Sequence, residues 1–206
     1  MATRLHEWGE NRMRRLLTLA ALTLCLIALA AHAQQDEFVR YAAPDGEYSI
    51  LLPEAPTVET LRSDGHKVKY LDQTPATGTL GEIAMYQRVD SDTGEMLSVR
   101  VTTLKADKTF LEGLTNEKIT AVLEGEFQGI SLDKKKINFS KGSQTLNWGT
   151  LTGYNVDKDN RLFFNVAHYL AGLNSITVIK ISFNFENRKF RTDYEKIAPS
   201  IAYVGR

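Results

Sequence analysis

Cysteine is almost missing from this chain: of 206 residues only Cys25 carries a thiol, and it lies in an apolar N-terminal run. The remainder of the chain therefore holds no disulfide, thiolate metal site, cysteine nucleophile or iron–sulfur cluster. Histidine is nearly as scarce. Beyond residue 33 only His66 and His168 remain, so a three-histidine metal centre is excluded. Surplus charge is lacking too, with 25 basic against 25 acidic side chains, or 21 against 23 once residues 1–33 are set aside. That balance lacks the electrostatic footprint of a nucleic-acid binder. Gly-rich phosphate loops, dinucleotide fingerprints, His-Glu-x-x-His and Gly-x-Ser-x-Gly are all absent, which removes the usual supports for nucleotide and hydrolase chemistry. No stretch rich in Pro, Ser or like charge serves as a linker, and no repeat is visible, so a single domain is expected after the N-terminal segment.

What is present begins with one apolar run. Residues 16–30 follow Arg14-Arg15 and close with Ala31-His32-Ala33, the order of a basic region, an apolar core and a small-x-small cleavage site. Residues 1–33 are expected to be an export signal cleaved after Ala33, with Met13 an alternative start of translation. The run is too short, and too promptly followed by Gln34-Gln35-Asp36, for a permanent span of about 20 residues. Leu24 precedes Cys25 where a lipoprotein signal places a small residue, so Cys25 reads as one more apolar residue. The expected destination is the periplasm or the medium.

Residues 34–206 alternate between two periodicities. Phe38–Ala42 and Tyr48–Pro53 flank Pro44-Asp45-Gly46 and read as a hairpin, because proline presets the turn dihedral and glycine tolerates positive φ. Tyr48, Ile50 and Leu52 share one face. Period two continues through Val68/Tyr70, Ile83/Met85 and Leu97/Val99/Val101, the last with Ser98, Arg100 and Thr102 opposite, which predicts antiparallel strands covered on one side. Asp64-Gly65, Ala76-Thr77-Gly78 and Asp92-Thr93-Gly94 supply the turns. From Phe110 the spacing of Leu111, Leu114, Ile119, Val122, Leu123 and Phe127 predicts one amphipathic helix, with Thr115 able to cap an inner start and Gly129 to end it. Strands over 131–140, 148–157, 161–171 and 175–185 follow as a meander turning at Asp159-Asn160 and Gly172-Leu173-Asn174. Phe190, Tyr194 and Ile197 predict a last helix stopped by Pro199, before Ile201–Val204. The fold class is α+β: an antiparallel sheet flanked by two main helices that cover its apolar face. A closed lipocalin-like barrel competes, but the mid-chain helix counts against it.

The opening Tyr41-x-x-Pro-Asp-Gly-x-Tyr-Ser-Ile-x-x-Pro53, followed by Pro56, resembles the start of exported bacterial proteins with a PsbP-like fold. The closing Tyr194-Glu195-Lys196-Ile197-Ala198-Pro199-Ser200-Ile201 resembles their end. The resemblance follows the order of elements over 38–204 and is specific at these two ends. It implies a PsbP-like sandwich used as a binding or assembly module without established enzyme activity, and it transfers no ligand residue.

Candidate chemistry is sparse. His168 shares a strand side with Leu162, Phe164, Val166 and Leu170, so burial could shift its pKa and present it to a pocket, but with no neighbouring Ser or Cys as nucleophile it reads first as a core or sheet-end histidine satisfied by a backbone carbonyl. His66 belongs to a turn. Ser131-x-x-Lys134 spells an activated-serine motif, but the following residues read as strand and place the two on opposite faces. Asp90, Asp92 and Glu95 alternate like a calcium loop, although glycine comes one place early and Val101 stands where the closing glutamate belongs. A charged hairpin turn is the preferred reading of them, with a weak, solvent-exposed cation site as the alternative. Lys134-Lys135-Lys136 reads as a guarded edge strand. Trp148, Thr150, Thr152, Tyr154 and Val156 share a face of mixed polarity that reads first as core packing under a helix and second as a surface able to take a ligand or partner.

Three functions follow in order of support. The first is a non-enzymatic exported module that binds a protein partner in the cell envelope, with no cofactor, no nucleic acid and no permanent membrane span. The second is a carrier of a small apolar ligand or lipid, using Trp148, Tyr154 and His168. The third is a hydrolase-type enzyme using His168.

Overall fold

The structure, a computed structural model, describes residues 38–63, 78–141 and 147–204. The expected export segment and cleavage site with Cys25, the alternating pair Val68/Tyr70, His66, and the expected turns at Asp64-Gly65 and Ala76-Thr77 lie outside the described residues.

The unit beginning at Phe38 contains two antiparallel sheets. The smaller consists of β1 (Val39–Ala42), β2 (Tyr48–Leu52) and β10 (Ala202–Tyr203), in the order β1-β2-β10. Its hairpin forms as the Pro-Asp-Gly turn dictates, with Val39 opposite Leu52 and the Gly46 amide donating to the Ala43 carbonyl at 3.0 Å. The larger sheet has seven strands: β3 (Thr57–Ser63), β4 (Gly78–Val89), β5 (Met96–Lys105), β6 (Asp133–Lys141), β7 (Asn147–Val156), β8 (Leu162–Ala171) and β9 (Ser175–Asn184). Their order, β3-β4-β5-β9-β8-β7-β6, joins two meanders along β5 and β9. The meander expected after the mid-chain helix is present, strand for strand. The turns use the residues the sequence offers: between β7 and β8 Asn160 takes φ 58°, and in the first meander, between β4 and β5, Gly94 takes φ 68°.

The mid-chain expectation of one helix is corrected. Two helices stand there, α1 (Lys108–Glu112) and α2 (Asn116–Gly125), because each has its own cap. Asp107 Oδ1 accepts from the Phe110 amide at 2.7 Å, and Thr115 Oγ1 accepts from the Lys118 amide at 3.3 Å. With a second N-cap at Thr115 and Gly113 ending α1, the register breaks between them. Gly129, at φ 84°, closes the segment in the left-handed region as expected. The last helix, α3 (Arg188–Ile197), is capped by Asn187 and runs into a 3₁₀ turn, Ala198–Ser200, at Pro199.

A second correction concerns cover. The large sheet is not one-sided: both faces are buried, against different partners. Leu97, Val99, Val101, Val166, Ile179, Ile181 and Phe183 pack with Tyr48, Ile50 and Leu52 of the small sheet and with Phe190 and Ile197 of α3. The opposite residues, Leu104, Ala167, Tyr169, Ile176, Val178 and Leu151, pack with Phe110 of α1, Ile119 and Leu123 of α2, and Phe127. Thus β8 and β9 are buried on both sides, and Thr102, expected on the wet side of β5, is 1% exposed. On β4 the buried residues are Gly81, Ala84 and Tyr86, whereas Met85, placed inside by its period with Ile83, is 45% exposed. Alternation separates a strand's two faces without saying which one is covered, so a two-residue pattern could not fix the inner face. The sheet is therefore flanked by α1 and α2 on one side and by the small sheet with α3 on the other.

Charge pins α2 to the sheet. The side chain of Glu126 is sealed and ion-paired with Arg100 of β5, while Lys180 of β9 donates to the Glu126 carbonyl at 2.5 Å and lies 4.6 Å from the Phe127 ring centre. A cation against the terminal carbonyls complements the helix dipole.

Candidate functional site

The sheet's register builds the site around His168. Thr150 of β7 lies directly opposite His168 of β8, and their side chains meet at 3.0 Å between Oγ1 and Nδ1. Reading along β8 alone missed this hydroxyl, because the two residues are neighbours only after β7 and β8 pair. The other ring nitrogen, Nε2, is sealed from solvent and has no hydrogen-bond partner among the described residues. Burial pushes the imidazole down to about 4, so near neutral pH the ring is uncharged. A nucleophile–base pair needs an imidazole basic enough to take the hydroxyl proton and a third group to orient it. Here basicity is lost to burial, and Nε2 meets no carboxylate among the described residues.

The same burial makes an expected pH dependence. An unfolded chain protonates this histidine below its ordinary value of 6.5, the folded chain only near 4. Stability is therefore complete above pH 6.5 and falls by about 1.4 kcal/mol per unit on acidification, to a total of about 3 kcal/mol by pH 4. Urea midpoints measured across this range should fall accordingly, and His168→Gln should flatten that part of the profile. An equally steep profile in His168→Gln would show that the acid lability arises elsewhere.

Trp148, Thr150, Thr152 and Tyr154 do share one face of β7, on the side covered further in by the small sheet and α3. Trp148 is 36% exposed and Thr150 and Thr152 are half-buried. Across β6 they face Ser140, Asn138 and Lys136, all exposed, so the β6–β7 end of this side forms an open strip of hydroxyl, amide and ammonium groups beside one indole. Tyr154 is tied to the core instead: its ring lies 5.1 Å from Phe164 and 5.3 Å from Phe185, in an aromatic group that continues to Phe183 and Tyr194. Val156 is 52% exposed.

The Asp90–Glu95 carboxylates serve the β4–β5 turn. Asp90 Oδ1 accepts from the Asp92 and Thr93 amides at 3.0 and 3.1 Å, which holds its pKa below the ordinary carboxylate value. Glu95 Oε2 accepts from Thr93 Oγ1 at 3.1 Å and from Asn187 Nδ2 at 2.7 Å. Among the described residues no three His, Cys, Asp or Glu side chains gather as a metal site. In the lysine run, Lys135 is ion-paired with Glu124, and Lys134 takes φ 50° beside the β6 bulge.

Two further arrangements escaped the sequence reading. Glu47, 2% exposed, receives the Leu173, Asn174 and Ser175 amides, the Ser175 hydroxyl and the Tyr203 hydroxyl, at 2.9–3.2 Å. Nothing near Glu47 in sequence announces this, apart from the Gly172 turn it fits. The second is a shallow cleft of about 80 Å³ between the small sheet and the β3–β5 end of the large one, lined by Ala43, Asp45, Thr60, Thr79, Gly81, Glu82, Thr103 and Lys105. Lys105 pairs with Asp45 at 3.2 Å, and Glu82 accepts from the Tyr41 hydroxyl. Threonine and carboxylate walls suit a polar or cationic group, not a lipid tail.

No protein-family model matches the chain, and no curated protein matches it. Among solved structures it is similar to the solution structure of cyanobacterial PsbP (CyanoP) from Synechocystis sp. PCC 6803, with 16% identity, a TM-score of 0.45, and coverage of 81% of this chain and 92% of that one. Among the described residues no helix is long and apolar enough to cross a membrane.

Proposed function

We propose that the chain is an exported, non-catalytic binding or assembly module with a PsbP-like sandwich, released after Ala33 and docking a protein partner of the cell envelope. One observation carries this reading. The β6–β7 strip presents Trp148 and a row of hydroxyl and amide groups to solvent, while the imidazole beside it is neutral, sealed at Nε2 and bonded to Thr150. An exposed indole ringed by hydrogen-bonding groups is the composition of an interface anchor. The Asp90–Glu95 turn and the His168 pair are read as structural. Affinity capture from the envelope fraction tests it: the native chain should retain a partner that Trp148→Ala loses by at least about tenfold, a loss of 1.4 kcal/mol, with an unchanged circular dichroism spectrum. Equal retention by Trp148→Ala, or ester, phosphate or glycoside hydrolysis abolished by His168→Gln, would overturn the proposal.

A further inference from the structure

The large sheet ends in two edges of opposite character. The β6 edge carries Lys134, Lys135 and Lys136 and a bulge between Asp133 and Lys136, devices that discourage strand addition. The β3 edge carries neither lysine nor proline: Thr57-Val58-Glu59-Thr60-Leu61-Arg62-Ser63 runs in the β-region, with Thr57 to Thr60 and Arg62 exposed. The shift in its pairing with β4 falls on β4, where Leu80 is skipped between Thr79 and Gly81, so β3 itself stays regular. Such an edge is a template for another strand.

Charge decides which strand. Thr60 lies opposite Glu82 on β4, and both line the polar cleft. In that cleft Lys105 is already bound to Asp45, and the carboxylate of Glu82 meets only the neutral hydroxyl of Tyr41 among the described residues. A cation delivered opposite Thr60 would complete it. We infer that β3 pairs with β3 of a second copy of this chain, antiparallel about a twofold axis at Leu61, so that Arg62 of each copy crosses Thr60 of the other and meets its Glu82.

The register follows from parity. In an antiparallel pair related by a twofold axis, opposed residues share a sheet face, and side chains alternate with period two. Centring on Leu61 sets Thr60 against the second copy's Arg62, both on the face that Glu82 occupies, and Leu61 against Leu61 on the other face. Centring on Thr60 would set that Arg62 beside Val58, whose β4 neighbour is Ala84. Centring on Glu59 would oppose two carboxylates. With strands about 4.8 Å apart, the Arg62 and Glu82 backbones lie about 10 Å apart across β3, which an extended arginine and a glutamate together bridge. The pairing is independent of the Trp148 strip, which lies at the opposite edge and stays free for a different partner.

Sedimentation equilibrium on the full chain, from micromolar to several hundred micromolar, tests the inference together with amide exchange at both ends of that range. A concentration-dependent dimer is expected, with new protection confined to Glu59–Ser63. Arg62→Glu should raise the dissociation constant at least about tenfold, and adding Glu82→Arg should recover most of that loss. A monomer throughout, a dimer indifferent to Arg62→Glu, or protection located elsewhere would overturn it. Because Glu82→Arg also removes Tyr41's acceptor, the exchange pattern of the unmodified chain decides the matter if the double variant does not fold.

Discussion

Replacing Glu47 by alanine should destabilise the protein by about 4 kcal/mol, a large part of the 5–15 kcal/mol by which a domain is usually stable. The carboxylate sits one residue before β2 yet collects its donors from the turn joining β8 to β9 and from β10. Its own carbonyl accepts from the Val204 amide at 2.8 Å. One side chain therefore fastens the N-terminal hairpin, the last strand and the β8–β9 turn in the middle of the seven-stranded sheet. Truncation strands three turn amides and the buried Ser175 hydroxyl without an acceptor, each costing about 1–3 kcal/mol where water cannot enter. Glutamine keeps one acceptor oxygen but turns an amide donor toward donors, so it should recover only part of the loss. Urea unfolding read as a midpoint shift at constant slope measures this, with exposed Glu195→Ala as a reference expected within about 0.5 kcal/mol of the native chain. A Glu47→Ala midpoint no lower than that reference would show that water replaces the carboxylate. Gly172 belongs to the same arrangement, since a Cβ there would stand 2.0 Å from Glu47 Oε2.

Gly81→Ala should cost about 3 kcal/mol or more. A Cβ at this position would lie 1.9 Å from the Thr103 carbonyl oxygen and 3.0 Å from the Leu104 Cα, both backbone, so no rotamer relieves the clash. The cause is the skipped Leu80 beside it: a bulge sharpens the local twist and brings β4 hard against β5. Relief requires the two strands to part where Leu104, fully buried, anchors the α1–α2 side of the core. Thermal and urea unfolding should both register the change, and amide exchange should rise first along Gly81–Ile83 and Thr102–Leu104. Native-like stability in Gly81→Ala would mean that the bulge relocates freely and that the β4 register is not fixed by glycine.

Much of the chain's architecture is local and could be read directly. Pro44-Asp45-Gly46 makes its hairpin, Gly94 and Gly129 take positive φ, Pro199 ends α3, and the four strands after α2 fall within a few residues of their expected limits. Such features depend on dihedral preferences and on residues a few places apart, so composition and period suffice. The break at Gly113 belongs to the same class: the cap at Thr115 was visible, but a continuous apolar spacing outweighed it.

The candidate site was legible only as a set of separate residues. Trp148, Thr150 and His168 could each be named, but the bond from Thr150 to His168 exists because β7 and β8 pair in one register, which moves hydroxyl and imidazole together across 18 positions. Composition and periodicity determined that this chain, beyond its N-terminal segment, is a cysteine-free α+β domain of antiparallel strands. Tertiary structure alone decided that β5 neighbours β9, that the sheet is buried from both sides, and that Glu47 reaches donors 126 to 156 residues away. Period two says that a strand has two faces. Which face is dry, and what seals it, depends on elements far along the chain, and no local pattern carries that information.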